Sequence, residues 1–243
     1  MTSPATATPR HIAVNPLARA LSLLWLYAKR PFLLRRVRRT TIERVDGVSL
    51  VVLPDVLNPV VFRSGEFLAR TLAAKRIVPS RGYEGQVLDM GTGSGVCAIF
   101  AARMGYRVSA VDLNPEAVRC ARINVMLNRL EDRVEVLQGD LFAPVAGRRF
   151  DLILFNPPFY RGEPKSAFDM AWRATDVFER FAAGLDSALA ADARALVLLS
   201  TDGDAAGMLA ALARSGFRSV PALHRNYGNE VMTIYAVERA ETP

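Results

Sequence analysis

The chain has 243 residues, of which 51% are hydrophobic, enough for one α/β domain with an extension and a full core. The chain has two cysteines, Cys97 and Cys120, and two histidines. These give neither a disulfide framework nor a zinc-ligand spacing, and we expect no bound metal. The net charge is +7, but residues 1–44 hold nine basic residues and one acid, a net +8, so residues 45–243 sum to −1.

Residues 1–44 form a predicted basic, partly helical N-terminal arm. Apolar residues recur at helical spacing within it, as at Leu17, Leu21 and Leu24, but the nine-residue apolar stretch is too short to cross a bilayer. Three roles remain open: a helix packed on the body, docking on RNA, the ribosome or another phosphate-rich partner, and lying on a membrane surface. No secretory signal is recognised, and we expect a cytoplasmic protein whose oligomeric state is unknown.

Residues 45–243, the predicted body, alternate apolar strand-like runs with helical patterns. A hairpin comes first, from Thr40 to Leu53, with Asp46-Gly47 as its turn. Seven further strands are predicted: Gln86 to Met90, Arg107 to Val111, Arg133 to Leu137, Phe150 to Phe155, Arg194 to Leu199, Phe217 to Leu223 and Glu230 to Val237. Five helices are predicted: Phe67 to Val78 with Ser64 as its cap, Gly95 to Met104, Pro115 to Asn128 with Asn114 as its cap, Phe168 to Ala190 with an interruption at Gly184, and Ala205 to Ser215. This order predicts an α/β fold: a mostly parallel sheet covered by helices on both faces, with the last two strands antiparallel.

A glycine-rich turn follows the first strand of that series. It reads Asp89-x-Gly91-x-Gly93-x-Gly95, and glycines there allow positive φ and a close approach of the backbone to a ligand. The spacing differs from the Gly-x-Gly-x-x-Gly dinucleotide fingerprint, since the third glycine comes one residue early and an acid precedes the first. The turn therefore favours a ligand with a cationic amino-acid group, whose ammonium would pair with Asp89.

Two further acids stand at the ends of the next two strands. Asp112 ends the second strand, where a ribose diol is gripped by two hydrogen bonds in folds of this kind. Asp140 ends the third strand and is placed to accept from an adenine amino group, with Leu141 beside the ring. Because the carboxyl ends of parallel strands meet at one edge of the sheet, the three acids are expected in one site.

The fourth strand ends in Asn156-Pro157-Pro158-Phe159. An amide or exocyclic aromatic amine is a poor nucleophile because its lone pair is delocalised. The Asn156 side-chain oxygen and the Pro157 carbonyl, held by consecutive proline rings, can accept its two N–H groups and draw the nitrogen toward tetrahedral geometry. Phe159 offers a face for a planar group. Taken alone, the tetrad also fits an ordinary turn.

These motifs, over about residues 60–237, resemble those of class I S-adenosylmethionine-dependent methyltransferases. The tetrad is similar to the (Asn/Asp)-Pro-Pro-(Tyr/Phe) signature of amino methyltransferases that modify glutamine, adenine or guanine. The resemblance implies S-adenosyl-L-methionine as cofactor and a seven-stranded Rossmann-like sheet with a C-terminal antiparallel strand. The implied cofactor-binding residues are Asp89, Gly91, Thr92, Gly93, Gly95, Asp112, Leu113, Asp140, Leu141 and Asn156, and the implied catalytic residues are Asn156, Pro157, Pro158 and Phe159.

The sequence identifies the methyl acceptor less clearly. Release-factor glutamine methyltransferases carry Asn-Pro-Pro-Tyr and an acidic segment that Glu66 matches in part. Ribosomal RNA guanine-N2 methyltransferases carry Phe-Ser and Asn-Pro-Pro-Phe-x-x-Gly, and the segments Phe62-Arg63-Ser64 and Asn156 to Gly162 are similar to these. The loop from Tyr160 to Lys165 is expected to border the substrate entrance. Transfer to a protein glutamine or other amide is the preferred interpretation. The alternatives are an exocyclic amine of RNA or DNA, a small molecule, and a cofactor-binding homologue without activity.

Overall fold

The computed structural model describes residues 36–74, 85–165 and 169–241, with residues 20, 24 and 32 besides. The helix predicted within the arm lies outside the described residues, apart from these isolated positions. None of the helices in the described part of the chain is long and apolar enough to cross a membrane.

The described chain opens with a β-hairpin, as predicted. Strand β1 (Thr41–Val45) pairs antiparallel with β2 (Val48–Val52), and Val45 is opposite Val48. Asp46 and Gly47 both have positive φ, 42° and 81°, as a two-residue hairpin turn requires. Strand β1 runs across the predicted boundary between arm and body at residues 44 and 45.

The remaining elements alternate between strands and helices. The first group is α1 (Pro59–Phe62), α2 (Ser64–Ala73), β3 (Gln86–Met90), α3 (Val96–Arg103), β4 (Arg107–Asp112), α4 (Pro115–Leu127), β5 (Val134–Gln138) and β6 (Phe150–Phe155). The second group is β7 (Tyr160–Arg161), β8 (Arg173–Ala174), α5 (Val177–Ala188), β9 (Leu189–Ser200), α6 (Ala205–Arg214), β10 (Phe217–Asn226) and β11 (Val231–Arg239). Single turns of 3₁₀ helix lie at Ala143–Val145 and Asp169–Ala171.

Seven of these strands form the central sheet, in the order β10-β11-β9-β6-β3-β4-β5. All neighbours are parallel except β11, which is antiparallel to both β9 and β10. The predicted α/β fold with a C-terminal antiparallel strand is thereby confirmed. The chain runs outward from β3 through β4 to β5 and then returns to β6, so the order reverses between β3 and β6, where ligands bind in open sheets.

Helices cover both faces of this sheet because strand residues point alternately to the two sides. Val87, Leu152 and Leu196 are buried in the core formed with α2, α3 and α4. Their chain neighbours Leu88 and Ile153 are buried in the opposite core, formed with α5 and α6.

The prediction of one long helix from Phe168 to Ala190 is wrong in its length. Its first part contains the strand β8, which pairs in parallel with β7, and the helix itself covers only Val177–Ala188. It continues through Gly184 without the predicted interruption. Glycine stands there because a Cβ would lie 2.5 Å from the Phe142 ring. The following strand begins at Leu189, five residues before the predicted start.

The predicted capping role of Ser64 is also wrong. Ser64 is the first residue of α2, and Arg63, with φ of 63°, occupies the cap position without a side-chain hydrogen bond. Asn58 instead caps the preceding helix α1 by accepting from the backbone N–H groups of Val60 and Val61. The predicted cap at Asn114 is confirmed by its hydrogen bond from the N–H of Glu116.

Candidate active site

The glycine-rich turn joins β3 to α3 at the carboxyl edge of the sheet. Gly91 and Gly93 have φ of 65° and 55°, in the left-handed region that other residues avoid. A Cβ added at Gly93 would meet nothing within 4 Å, so the positive φ and not crowding favours glycine there. At Gly95 a Cβ would lie 3.2 Å from Ala121, so this glycine lets α3 approach α4 closely.

Asp89 is buried just before the turn, and one of its oxygens is already engaged. Oδ2 accepts from the hydroxyl of Thr92 at 2.6 Å and from the N–H of Ala98 at 3.0 Å. Burial raises the pKa of Asp89 to about 7, the charge of Asp112 adds to this, and the two hydrogen bonds oppose it. A cation placed beside this carboxyl group would stabilise its ionised form.

Asp112 ends β4 and is held by backbone donors on both sides. The N–H of Gly93 donates to Oδ2 at 2.8 Å, and the N–H of Asn114 donates to Oδ1 at 2.9 Å. Burial raises its pKa although these bonds lower it. The lone pairs that these backbone donors leave free allow the fixed carboxylate to accept hydroxyl groups of a ligand.

Asp140 follows β5 and is paired with an arginine that the sequence analysis did not single out. Arg180 of α5 donates to Asp140 Oδ2 at 2.5 Å. Leu141, the next residue, has φ of 46°. Gly139 permits this turn, since a Cβ at that position would lie 2.2 Å from Pro144 Cγ.

A cavity of about 280 Å³ brings these groups together. Predicted site residues in its wall are Asp89, Gly91, Thr92, Gly93, Asp112, Leu113, Asp140, Leu141, Asn156 and Pro158. We call the part formed by Asp89, Gly91, Gly93 and Asp112 the glycine end, and the part formed by Asn156 and Pro158 the asparagine end. Among the described residues, Gly95, Pro157 and Phe159 are predicted site residues that do not line the cavity.

At the asparagine end, the side-chain amide of Asn156 is hydrogen-bonded through its nitrogen but, among the described residues, not through its oxygen. Asn156 Nδ2 donates to Ser64 Oγ at 3.0 Å. Asn156 Oδ1 is buried and has no hydrogen-bond partner among the described residues. Buried acceptors are nearly always paired, so this oxygen marks a position where a donor is expected to bind.

Phe159 occupies a different environment from its neighbour Asn156. Its ring is 8% exposed and meets the Trp172 ring edge-on, with centroids 6.2 Å apart. Its carbonyl accepts from the N–H of Asp204 at 2.8 Å. The predicted stacking of a substrate on this ring therefore stays a prediction.

The loop after the tetrad is anchored to α5 and α6. Arg161 donates to Asp204 at 2.5 Å and to Glu179 at 2.8 Å, and its guanidinium lies over the Phe178 ring. Together with the β7–β8 pairing, these contacts hold Pro164 in the cavity wall.

The segment from Asp55 to Pro59 completes the wall, although the sequence analysis assigned it no role. Buried Asn58 donates to Glu43 Oε1 at 2.8 Å, and Arg36 makes a bidentate pair with the same carboxylate. Burial raises the pKa of Glu43, but the bonds from Arg36 and Asn58 outweigh it and lower the pKa overall. The Asn-Pro pair at the start of α1 is the signal that could have found this segment, because asparagine caps and proline starts helices.

Residues 60–181, half of the chain, match the model of the methyltransferase small domain family. The chain belongs to this family. The matched stretch of the methyltransferase small domain runs from α1 into α5 and contains every residue of the predicted site.

Curated proteins similar to the chain align with it over part of their length. The ribosomal protein uL3 glutamine methyltransferase of Bradyrhizobium diazoefficiens is 41% identical over 39% of this chain and 34% of that protein. The ribosomal RNA small subunit methyltransferase C of Alcanivorax borkumensis is 37% identical over 42% of this chain and 28% of that protein. The chain thus spans about a third of the length of these two relatives.

A solved structure shares the fold. The 16S rRNA N2 G1207 methyltransferase of T. thermophilus, crystallised with S-adenosylmethionine and guanosine, covers 82% of this chain with a TM-score of 0.56. The chain covers 50% of that protein, and the sequences are 21% identical, which supports a common fold.

Proposed function

We propose that this chain is an S-adenosylmethionine-dependent N-methyltransferase that methylates a planar nitrogen, with a protein glutamine or other amide as the first choice of acceptor. The observation that carries the proposal is Asn156 Oδ1, a buried acceptor without a partner in the wall of a cavity whose other end has the glycines and acids of a cofactor site. An N–H group of the acceptor would supply the missing hydrogen bond.

The residues present fit the cofactor. Gly91 and Gly93 leave backbone space without side chains, Asp89 offers a carboxyl group for an ammonium, and Asp112 offers two fixed oxygens for a ribose. Asp140 and Leu141 are assigned to the adenine. When bound, S-adenosylmethionine supplies a methyl group on a sulfonium, which is a good leaving group.

The asparagine end would prepare the nucleophile. Asn156 Oδ1 would accept one N–H group of the acceptor nitrogen, which helps to localise its lone pair. The Pro157 carbonyl is proposed for the other N–H group on the sequence motif alone, since Pro157 does not line the cavity. With the cofactor bound, attack by the nitrogen lone pair would form the N–C bond as the C–S bond breaks with its electrons on sulfur, and the surplus N–H proton of the product would pass to solvent water. No charged base is required for the attack, so positioning of the nitrogen against the methyl group would supply most of the acceleration.

A nucleic-acid amine is the second candidate acceptor, and one cluster favours it. The guanidinium groups of Arg63 and Arg225 both lie 5.1 Å from the centroid of the Tyr227 ring. Arg63 directly precedes Ser64, the partner of Asn156, so this cationic and aromatic cluster is close in the chain to the asparagine end. Such groups bind phosphates and stack on bases. The nine basic residues of the arm, residues 1–44, would add positive charge that favours a nucleic-acid partner.

The function is tested with the variant Asn156→Ala. Calorimetry should show that it binds S-adenosylmethionine as the wild type does, while methyl transfer falls about 100-fold, the effect of removing one group that acts on the transition state. Asn128→Ala is the matched control, since Asn128 bonds to the Ser49 carbonyl away from the cavity wall and should keep full transfer. Full transfer by Asn156→Ala would refute the clamp.

The acceptor class is identified with tritiated S-adenosylmethionine added to a lysate that is then separated into protein, RNA and small-molecule fractions. Label in protein supports the amide acceptor. Label in RNA supports the second candidate, in which case binding should weaken steeply with salt and upon deletion of residues 1–44. Label in small molecules alone would refute both.

A further inference from the structure

The Asn156 side-chain amide can accept an N–H group of the methyl acceptor in only one of its two orientations. A 180° rotation of the amide group exchanges its oxygen acceptor with its N–H₂ donor. If the N–H₂ faced the acceptor nitrogen, donor would meet donor and the clamp would fail. A neighbouring group must therefore hold the amide so that the oxygen faces the cavity.

Ser64 is the group in contact with the other end of this amide. Its hydroxyl oxygen lies 3.0 Å from Asn156 Nδ2 and accepts from it. Ser64 is 2% exposed, although the two residues are 92 positions apart in the chain. The bond uses Nδ2 and leaves Oδ1 unpaired.

Ser64 is itself held firmly by the residues around it. The preceding residue, Arg63, is in the left-handed conformation and lies against the Tyr227 ring. The Phe62 ring meets the Trp172 ring edge-on, with centroids 4.7 Å apart. On the other side, a Cβ at Gly65 would lie 3.1 Å from Pro59, so the helix start is closely packed.

We propose that Ser64 is a positioning residue for methyl transfer: by accepting from Asn156 Nδ2 it directs Oδ1 toward the N–H of the acceptor. The inference rests on the proposed function. A purely structural Ser64 would contribute to folding stability and leave the rate of transfer unchanged, which is the difference that the experiment measures.

The variant Ser64→Ala is compared with Thr71→Ala. Thr71 is a buried hydroxyl residue of the same helix, and its Oγ1 donates only to the Phe67 carbonyl at 2.8 Å. The rate of methyl transfer, kcat, is measured at saturating S-adenosylmethionine, and the lysate fraction that takes up label serves as the methyl acceptor. We expect Ser64→Ala to lose at least tenfold in kcat with unchanged cofactor affinity, and Thr71→Ala to lower Tm while keeping kcat. Equal kcat in the two variants would overturn the inference.

The double variant Ser64→Ala with Asn156→Ala supplies the second readout. If Ser64 acts through Asn156, the double variant should transfer no more slowly than Asn156→Ala alone, since effects through a shared group are not additive. Additive losses would contradict the proposal. Ser64→Cys, which keeps nearly the same volume with a weaker acceptor, replaces Ser64→Ala if the latter does not fold, and should show an intermediate kcat.

A measurement without any acceptor separates this inference from the proposed function. Protein labelled with ¹⁵N-asparagine, with the Asn156 signal assigned from Asn156→Ala, should show a side-chain amide that shifts and exchanges faster in Ser64→Ala but not in Thr71→Ala. An unchanged signal would overturn the positioning role. If instead Asn156→Ala keeps full transfer, the proposed function fails whatever the spectrum shows.

Discussion

The two ends of the cavity differ in how their polar side chains are satisfied. At the glycine end, Asp89 and Asp112 already accept hydrogen bonds from the protein before any ligand binds. At the asparagine end, the Asn156 oxygen is buried and unpaired among the described residues. The first arrangement is stable without a ligand, whereas the second leaves one hydrogen bond unmade.

This difference is consistent with two kinds of binding. Carboxylates fixed by backbone donors form a rigid seat that loses little freedom when a ligand arrives. An unpaired buried acceptor carries a cost of about 1–3 kcal/mol that a matching donor removes. The glycine end is therefore suited to hold a ligand tightly, and the asparagine end to act on a group that binds only for the reaction.

The largest effect on the glycine end is expected from Asp112→Ala. Two hydrogen bonds from a ribose to this carboxylate, at about 1.5 kcal/mol each, correspond to about a 100-fold loss of cofactor affinity. Calorimetry with S-adenosylmethionine measures it. Asp151→Ala is the control, because Asp151 accepts from the Gln86 N–H outside the cavity wall. Unaltered affinity in Asp112→Ala would remove the proposed ribose contact.

The raised pKa of Asp89 makes both the stability of the free protein and the binding of the cofactor depend on pH. Burial raises the pKa of Asp89 to about 7 from its ordinary value of 3.8. Without ligand, the folded state therefore binds more protons than the unfolded state between these values, and its stability should fall as the pH rises from about 4 to about 7.

An ammonium ligand prefers the ionised carboxylate, so its affinity should rise as the pH passes 7. We expect about a tenfold weaker binding of S-adenosylmethionine one unit below that pKa than well above it. Calorimetry from pH 5.5 to 8.5 tests this, and Asp89→Asn should bind weakly at every pH. A wild-type affinity independent of pH would argue against the ammonium contact.

The fold and the glycine end follow closely from local sequence patterns. Apolar runs and glycine positions report on short stretches of chain, and the convergence of strand ends then places Asp89, Asp112 and Asp140 in one region. The helix predicted from Phe168 was too long because its composition fits a helix locally, while the pairing of β8 with β7 is set by the folded chain.

Two contacts at the site that sequence analysis missed join distant positions. Ser64 and Asn156 are 92 residues apart, and Arg180 and Asp140 are 40 residues apart. Ser64 fits a helix cap as well as a buried acceptor when its neighbours alone are considered. Only the hydrogen bond between Ser64 and Asn156 in the folded chain distinguishes the two roles.

The smallest effect is expected from Arg180→Ala. The pair between Arg180 and Asp140 is half exposed, with side-chain exposures of 46% and 43%, and solvent screens such pairs. Its loss should change cofactor affinity by less than about fivefold. In titrations at low and high salt, the cofactor affinity of the wild type should approach that of the variant as salt rises, because salt screens exposed ion pairs. The affinity of the variant should change little with salt. A loss as large as that of Asp112→Ala would instead mean that Arg180 holds Asp140 in a binding geometry, and the glycine end would then depend on α5 as much as on the strand ends.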